Sequence, residues 1–203
     1  MIQAGKELVS IVEPINQMFM LNRIIALVSL TFFTLTAYGQ HQQMTVAVGG
    51  APMSPSRNIV ENAVNSADHT TLVAAVQAAD LVGTLQSDGP FTVFAPTNQA
   101  FAKLPEGTVA SLLKPENKGA LTNVLTYHVV AGAYDYDDIA AAIRSGNGVA
   151  TLETVNGEAL MAMMNGPHNI SVKDAQGNIA NISIYDVRQR NGVIHVIDTV
   201  LLP

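Results

Sequence analysis

The sequence predicts an α+β fold, with helices in the first half packed on a curled, antiparallel-rich β-sheet or sandwich in the second. Three observations carry this. Apolar residues recur at helical spacing between Asn58 and Gly146. From Val149 onward, short alternating runs are separated by Asn156-Gly157, Asn165-Gly166-Pro167 and Gln176-Gly177-Asn178, which are hairpin-type turn signals. The chain then closes on a nearly continuous apolar run, Val193–Ile197 and Val200–Leu202, as expected of a strand covered on both faces.

Taken in order, Asn58–Asn65 places Ile59, Ala63 and Val64 on one helical face. Asp68 is positioned to cap a helix in which Leu72, Val73, Val76 and Ala79 face inward. Asp88-Gly89-Pro90 breaks that run, and Phe91–Ala95 reads as a short buried strand. Thr97 caps a turn carrying Ala100 and Phe101; Thr108–Leu113 and Pro115–Leu125 read as helices, the latter with Pro115 in its first turn. Tyr127–Val130 reads as a strand ended by Gly132. Asp135 opens a further helix that buries Ile139, Ala142 and Ile143, with Asp137 and Asp138 in the first turn, where the helix dipole favours negative charge. Strands are expected at Val149–Glu153, Glu158–Met163, Asn169–Lys173 and Asn178–Asp186. In Leu160-Met161-Ala162-Met163-Met164, methionine is read as adaptable core filling, the alternative being a recognition surface.

With 203 residues the chain accommodates one domain plus extensions. Residues 1–19 carry Lys6, Glu7 and Glu13 and read as an upstream extension. Residues 20–39 read as a signal peptide: Arg23 precedes the uncharged run Ile24–Leu35, which is shorter than the roughly 20 residues of a membrane helix, and Ala37-Tyr38-Gly39 supplies small residues for cleavage. The alternative is a signal anchor that stays in the membrane. Residues 40–56, rich in Gln, Gly, Pro and Met, read as a flexible linker, and residues 57–203 as the single domain. Export to a secreted, periplasmic or cell-surface location follows, with no stable membrane insertion after cleavage.

Composition narrows the function. Ten Lys+Arg against sixteen Asp+Glu lack the basic footprint of a nucleic-acid binder. The absence of Cys removes disulfides, thiol catalysis and a Cys-borne lipid. With no Trp, stacking platforms for sugars could come only from five Tyr and six Phe.

Two segments form long motifs. Thr92-Val93-Phe94-Ala95-Pro96-Thr97-Asn98-Gln99-Ala100-Phe101 and Asn191-Gly192-Val193-Ile194-His195-Val196-Ile197-Asp198-Thr199-Val200-Leu201-Leu202-Pro203 resemble, in the right order, the two signatures of the fasciclin domain family, and Tyr127-His128 matches the Tyr-His pair between them. The resemblance implies a fasciclin-like fold and a non-enzymatic module for cell adhesion that contacts a cell-surface or matrix protein or polysaccharide. It also points to Tyr127, His128, Ile197 and Asp198 as positions for partner contact. The residues make physical sense unaided: Pro96 ends a strand, Thr97 or Asn98 caps the following turn, and Asn191-Gly192 is a turn leading into the closing strand.

Arg188-Gln189-Arg190 departs from the family pattern; Arg188 and Arg190 would suit an acidic polymer, or the segment is a solvated turn. No catalytic residue, metal ligand or cofactor is assigned. The five histidines form no ligand-spaced pair, no Ser lies in G-x-S-x-G, and no calcium or phosphate loop occurs. His195 and His128 are expected to be buried imidazoles bonded to backbone. Runner-up readings are a structural or stress-related envelope protein, and a small ligand-binding protein or enzyme on the same scaffold.

Overall fold

A computed structural model describes Thr45–Pro203; the proposed upstream extension, signal peptide and cleavage site, with residues 40–44, lie outside the described residues. The linker expectation is corrected where the chain is described. Val46–Val48 (β1) and Ala51–Met53 (β2) form an antiparallel hairpin. Gly49 and Gly50 turn it with φ of 58° and 76°, the positive pair a tight two-residue hairpin demands. Val48 and Met53 are buried, and Asn62 exchanges two hydrogen bonds with the Ser54 backbone, so this segment is part of the domain.

The helices follow in short pieces. Ile59–Ala63 (α1) opens on a capping box between Asn58 and Glu61 and buries Ile59 and Asn62, whereas Val64, expected inside, is 52% exposed. Thr70–Ala78 (α2) follows a 3-10 turn at Ala67–His69, and Asp68 does not cap it. That task falls to Asn98, whose Oδ1 accepts the Thr71 N–H at 3.0 Å while its Nδ2 donates to the Ala67 carbonyl. Val82–Gln86 (α3) buries none of its residues. After Phe91–Pro96 (β3) come Asn98–Ala102 (α4), capped by Thr97, and Thr108–Leu112 (α5). The expected Pro115–Leu125 helix is a 3-10 turn at Pro115–Asn117 followed by Lys118–Tyr127 (α6). Tyr127 therefore ends a helix, His128 caps it, and the strand is Val129–Ala131 (β4). Tyr136–Ser145 (α7) opens on the Asp135–Asp138 capping box and buries Ile139, Ala140 and Ile143; Ala142 faces solvent.

Val149–Glu153 (β5), Ala159–Met164 (β6), Ile170–Lys173 (β7) and Ile179–Gln189 (β8) form an antiparallel meander, and Gly192–Ile197 (β9) returns along β8. The sheet order is β4-β3-β9-β8-β7-β6-β5. β3 pairs with β9 in parallel, from Phe91↔Gly192 to Pro96↔Ile197. A Val130↔Thr154 bridge and the Val155 N–H to Val129 carbonyl bond join the two edges, so the sheet curls almost closed. Val200–Leu202 is buried or half-buried but forms no strand.

The alternation of β3 and β9 divides the interior. Val93, Ala95, Ile194 and Val196 face the helices α1–α6, whereas Phe94 and Ile197 face the barrel with α7, Leu160, Val172 and Leu201. On β6 the core is filled by Leu160 and Ala162; Met161 is 47% exposed and Met163 half-buried, so those methionines do not fill the core.

Candidate functional site

The motif residues are mostly interior groups that set geometry. Thr92 is fully buried; its Oγ1 donates to the Gly132 carbonyl at 2.8 Å and accepts the Tyr134 N–H at 2.8 Å. His195 is also fully buried, with Nε2 2.9 Å from the Tyr134 carbonyl and Nδ1 facing the Asp186 N–H. That geometry assigns the proton to Nε2, and burial holds the imidazole pKa below 6.5 despite the Tyr134 carbonyl and the Asp186 and Asp135 charges. Phe94 stacks on the ring and Tyr185 meets it edge-on. Two motif residues thus clamp the main chain of Tyr134 from both sides.

Gly132 completes the seat. Its φ is 107°, and a Cβ there would sit 2.7 Å from the Tyr134 ring, so only glycine lets that ring pack so close to the backbone. Tyr134 remains 38% exposed. It borders a cleft of about 550 Å³ between β4, α7 and β5, where Ile139 and Leu152 form the apolar floor and Thr151 and Glu153 stand exposed. The volume lies within the roughly 300–1,000 Å³ of small-molecule sites, although this cleft is open. Beside it, Arg188 Nη2 donates to Asp135 Oδ2 at 2.7 Å, and the Asp186 carboxylate accepts the Tyr136 N–H. The Asp138 N–H, ahead of a small desolvation penalty and the Arg188 guanidinium, holds the Asp135 carboxyl below its usual range.

The other expected contact residues divide. Tyr127, His128 and Ile197 are at most 3% exposed, so direct partner contact by their side chains is corrected to an interior role. The Tyr127 hydroxyl donates to the Ala159 carbonyl and accepts the Ala175 N–H. His128 Nδ1 donates to the Val124 carbonyl at 2.7 Å and Nε2 accepts the Leu201 N–H at 3.0 Å, which binds the chain end to α6. Burial lowers its pKa to about 4. Asp198 is half-buried; it accepts the Asn181 N–H and the Thr199 hydroxyl and lies 3.7 Å from Lys103 Nζ. Desolvation pushes its carboxyl up, but these hydrogen bonds and Lys103 outweigh it, and the pKa falls below the ordinary value. The basic cluster is split: Arg188 and Arg190 are exposed, while Gln189 is buried and accepts a hydrogen bond from Asn62. Asn191, read as a turn residue, is buried too, accepting the Ile59 N–H and donating to the Leu85 and Ser87 carbonyls.

Pro96, Phe101, Val200 and Leu201 fill the interior around this frame. His69, a third buried imidazole, faces the Ser66 hydroxyl through Nδ1. Its Nε2 makes no hydrogen bond of normal geometry, and burial, only partly offset by the Ala95 backbone and Asp68, lowers its pKa. Among the described residues no three His, Asp or Glu side chains gather as a metal site. The Tyr134 cleft was missed in the sequence; the signal that could have found it is the scarcity of aromatics, which leaves few residues able to serve as a platform.

A nearly closed sheet with a parallel central pair, flanked by short helices on one face, defines a fasciclin-type α+β domain. Residues 67–203 match the fasciclin domain model, and the chain belongs to that family. It is 46% identical over 189 residues to protein sll1483 of Synechocystis sp., covering 89% of this chain and 96% of that protein. It is 44% identical over 147 residues to protein sll1735 of the same organism, covering 71% and 97%. The fold is similar to a solved FAS1 domain pair from the insect cell adhesion molecule fasciclin I, with a TM-score of 0.65 and 17% identity over 73% of this chain and 52% of that one. Proteins of this family are in general non-enzymatic adhesion or binding modules. Fasciclin-domain proteins are typically exported or cell-surface proteins that contact surface or matrix molecules. Among the described residues no helix is long and apolar enough to cross a membrane.

Proposed function

We propose that residues 20–39 direct export and that the released domain adheres to a neutral extracellular polysaccharide through the Tyr134 cleft. The observation that carries this is the exposed Tyr134 ring, seated on Gly132 and held through Thr92 and His195 beside Thr151 and Glu153. A tyrosine offers a flat apolar face for the C–H side of a sugar at small entropic cost, and the adjoining hydroxyl and carboxylate suit sugar hydroxyls. A neutral polymer fits better than a uronate-rich one, because Glu153 stands in the cleft, Arg188 is already paired with Asp135, and the net charge is −6.

The test is retention of the exported protein on a panel of insoluble neutral and acidic polysaccharides and on immobilised surface proteins. Neutral polysaccharide is expected to retain it, and Tyr134→Ala to weaken retention at least tenfold with an unchanged melting temperature. Equal retention of the variant, or retention only by protein, contradicts the reading. Mass spectrometry of the exported protein is expected to find Gln40 at its N-terminus; a product that still contains Leu30 contradicts the export step.

A further inference from the structure

Asparagine is followed by glycine at Asn147-Gly148, Asn156-Gly157, Asn165-Gly166 and Asn191-Gly192. In such a pair the glycine amide nitrogen reaches the asparagine side-chain carbonyl carbon readily, because no Cβ crowds the approach. Attack has two requirements. The nitrogen must be free to give up its proton, and the carboxamide must be free to swing onto it. Hydrogen bonds that occupy either group must break first.

The fold denies at least one requirement to three of these pairs. At Asn147 the nucleophile is taken, since the Gly148 N–H donates to the Ile143 carbonyl at 2.9 Å. At Asn156 both groups are held. The Gly157 N–H donates to the Thr154 carbonyl at 2.9 Å, the Asn156 Oδ1 accepts the Thr154 hydroxyl and the Glu158 N–H, and its Nδ2 donates to Asn123. Asn191 is buried, and its carboxamide is fixed by Ile59, Leu85 and Ser87. Asn165 differs. It stands with Gly166 in the exposed turn between β6 and β7, and the Gly166 N–H has no hydrogen-bond partner among the described residues. The space beside Gly166 is open, with no atom within 4 Å of the position a Cβ would take. A single bond holds the Asn165 carboxamide, from Nδ2 to Asn181 Oδ1 at 3.0 Å, and both side chains are exposed.

We propose that Asn165 is a deamidation site of the folded protein, with water as the only co-reactant. The Gly166 nitrogen bonds to Asn165 Cγ and gives up its proton, the Cγ–Nδ2 bond breaks, and ammonia leaves with a proton in place of the lost bond. The product is a succinimide ring. Water then opens it at Cγ to give aspartate, or at the main-chain carbonyl to give isoaspartate, which lengthens the turn by one methylene. The change reaches further than the turn. A carboxylate only accepts, so the proton between Asn165 and Asn181 Oδ1 is lost and the two oxygens repel. The Asn181 carboxamide then turns its Nδ2 toward the new charge, away from Asp198 Oδ2, which that nitrogen contacts at 3.2 Å. Asp198 keeps the Asn181 N–H and the Thr199 hydroxyl.

The test is peptide mass spectrometry of the full chain after incubation in warm, mildly alkaline buffer, native and in denaturant. In the native protein, conversion at Asn165 is expected to be at least tenfold faster than at Asn147, Asn156 and Asn191. In denaturant the four rates are expected to agree within about threefold, because every pair then has the same neighbour and none has its native hydrogen bonds. Native rates that are equal across the four pairs, or fastest at one of the other three, overturn the proposal. So does a native rate at Asn165 more than tenfold below its rate in denaturant, which would mean that the fold protects this pair as well. For the second step, Asn165→Asp is expected to shift the Asn181 side-chain amide and the Asp198 carboxyl resonances in NMR spectra and to leave the Tyr134 amide in place. Unchanged Asn181 and Asp198 resonances would overturn that step.

Discussion

The two faces of the β3–β9 pair are finished differently. Toward the barrel, Phe94, Tyr127, Ile139, Leu160, Val172, Ile197 and Leu201 are completely buried. Toward the helices, Leu72 and Phe101 each retain 9% exposure and an apolar slot stays open. The barrel side is built from a continuous meander and the ten-residue α7, whereas the other side is covered largely by helices of five residues. Long elements supply more side chains in register to fill an interior than short ones do. Tight packing thus surrounds the clamp that presents Tyr134, and the yielding side lies away from it.

This asymmetry is open to direct attack. The largest effect is expected on the barrel side, where Leu201→Ala should cost about 4 kcal/mol in denaturant unfolding, because a rigid cavity remains. Leu72→Ala, next to a region already loosely filled, should cost about 2 kcal/mol; equal costs would break the comparison.

Acid comes next. His128 falls from 6.5 to about 4 on folding, so between those pH values the unfolded chain binds the extra proton. Stability from this group is complete above pH 6.5 and declines as pH falls toward 4, by about 3 kcal/mol on the linkage relation. His195 and His69, also lowered by burial, add in the same direction. Asp135 and Asp198, lowered instead, give stability that is lost only as pH falls through the usual carboxylate range and below. Thermal melts across that range check the slope, and flat stability from pH 7 to pH 4 would contradict the assignment of these imidazoles as neutral. The smallest effect is expected for Met161→Lys on the outer face, within about 0.5 kcal/mol.

The β3–β9 core was legible in the sequence, because strands covered on both faces read as unbroken apolar runs, and Phe91–Ala95 and Val193–Ile197 are such runs. The Asp135 cap was legible too, since a capping box is a local device. What was not legible depends on long-range partners. Asn98 caps α2 and Asn191 ties α1 to α3, roles that no local pattern announces. Asn62 and Gln189 bring the β1–β2 hairpin into the domain, where composition alone suggested a linker. Tyr127 and His128 stand out as a motif, yet their hydrogen bonds reach Ala159, Ala175 and Leu201 in the interior. Tyr134 carries no motif of its own; it becomes a candidate only when Thr92 and His195, far apart in sequence but on paired strands, converge on its backbone.

Amide hydrogen exchange at Tyr134 tests that convergence most directly. The residue lies outside any helix or strand, yet its N–H is donated to the buried Thr92 hydroxyl. We expect a strongly protected Tyr134 amide in the native protein, and in Thr92→Val an exchange rate at least a hundredfold faster while the Ile194 and Val196 amides in β9 stay protected. A Tyr134 amide that already exchanges at loop rates, or one indifferent to Thr92→Val, would mean that the motif does not hold the platform.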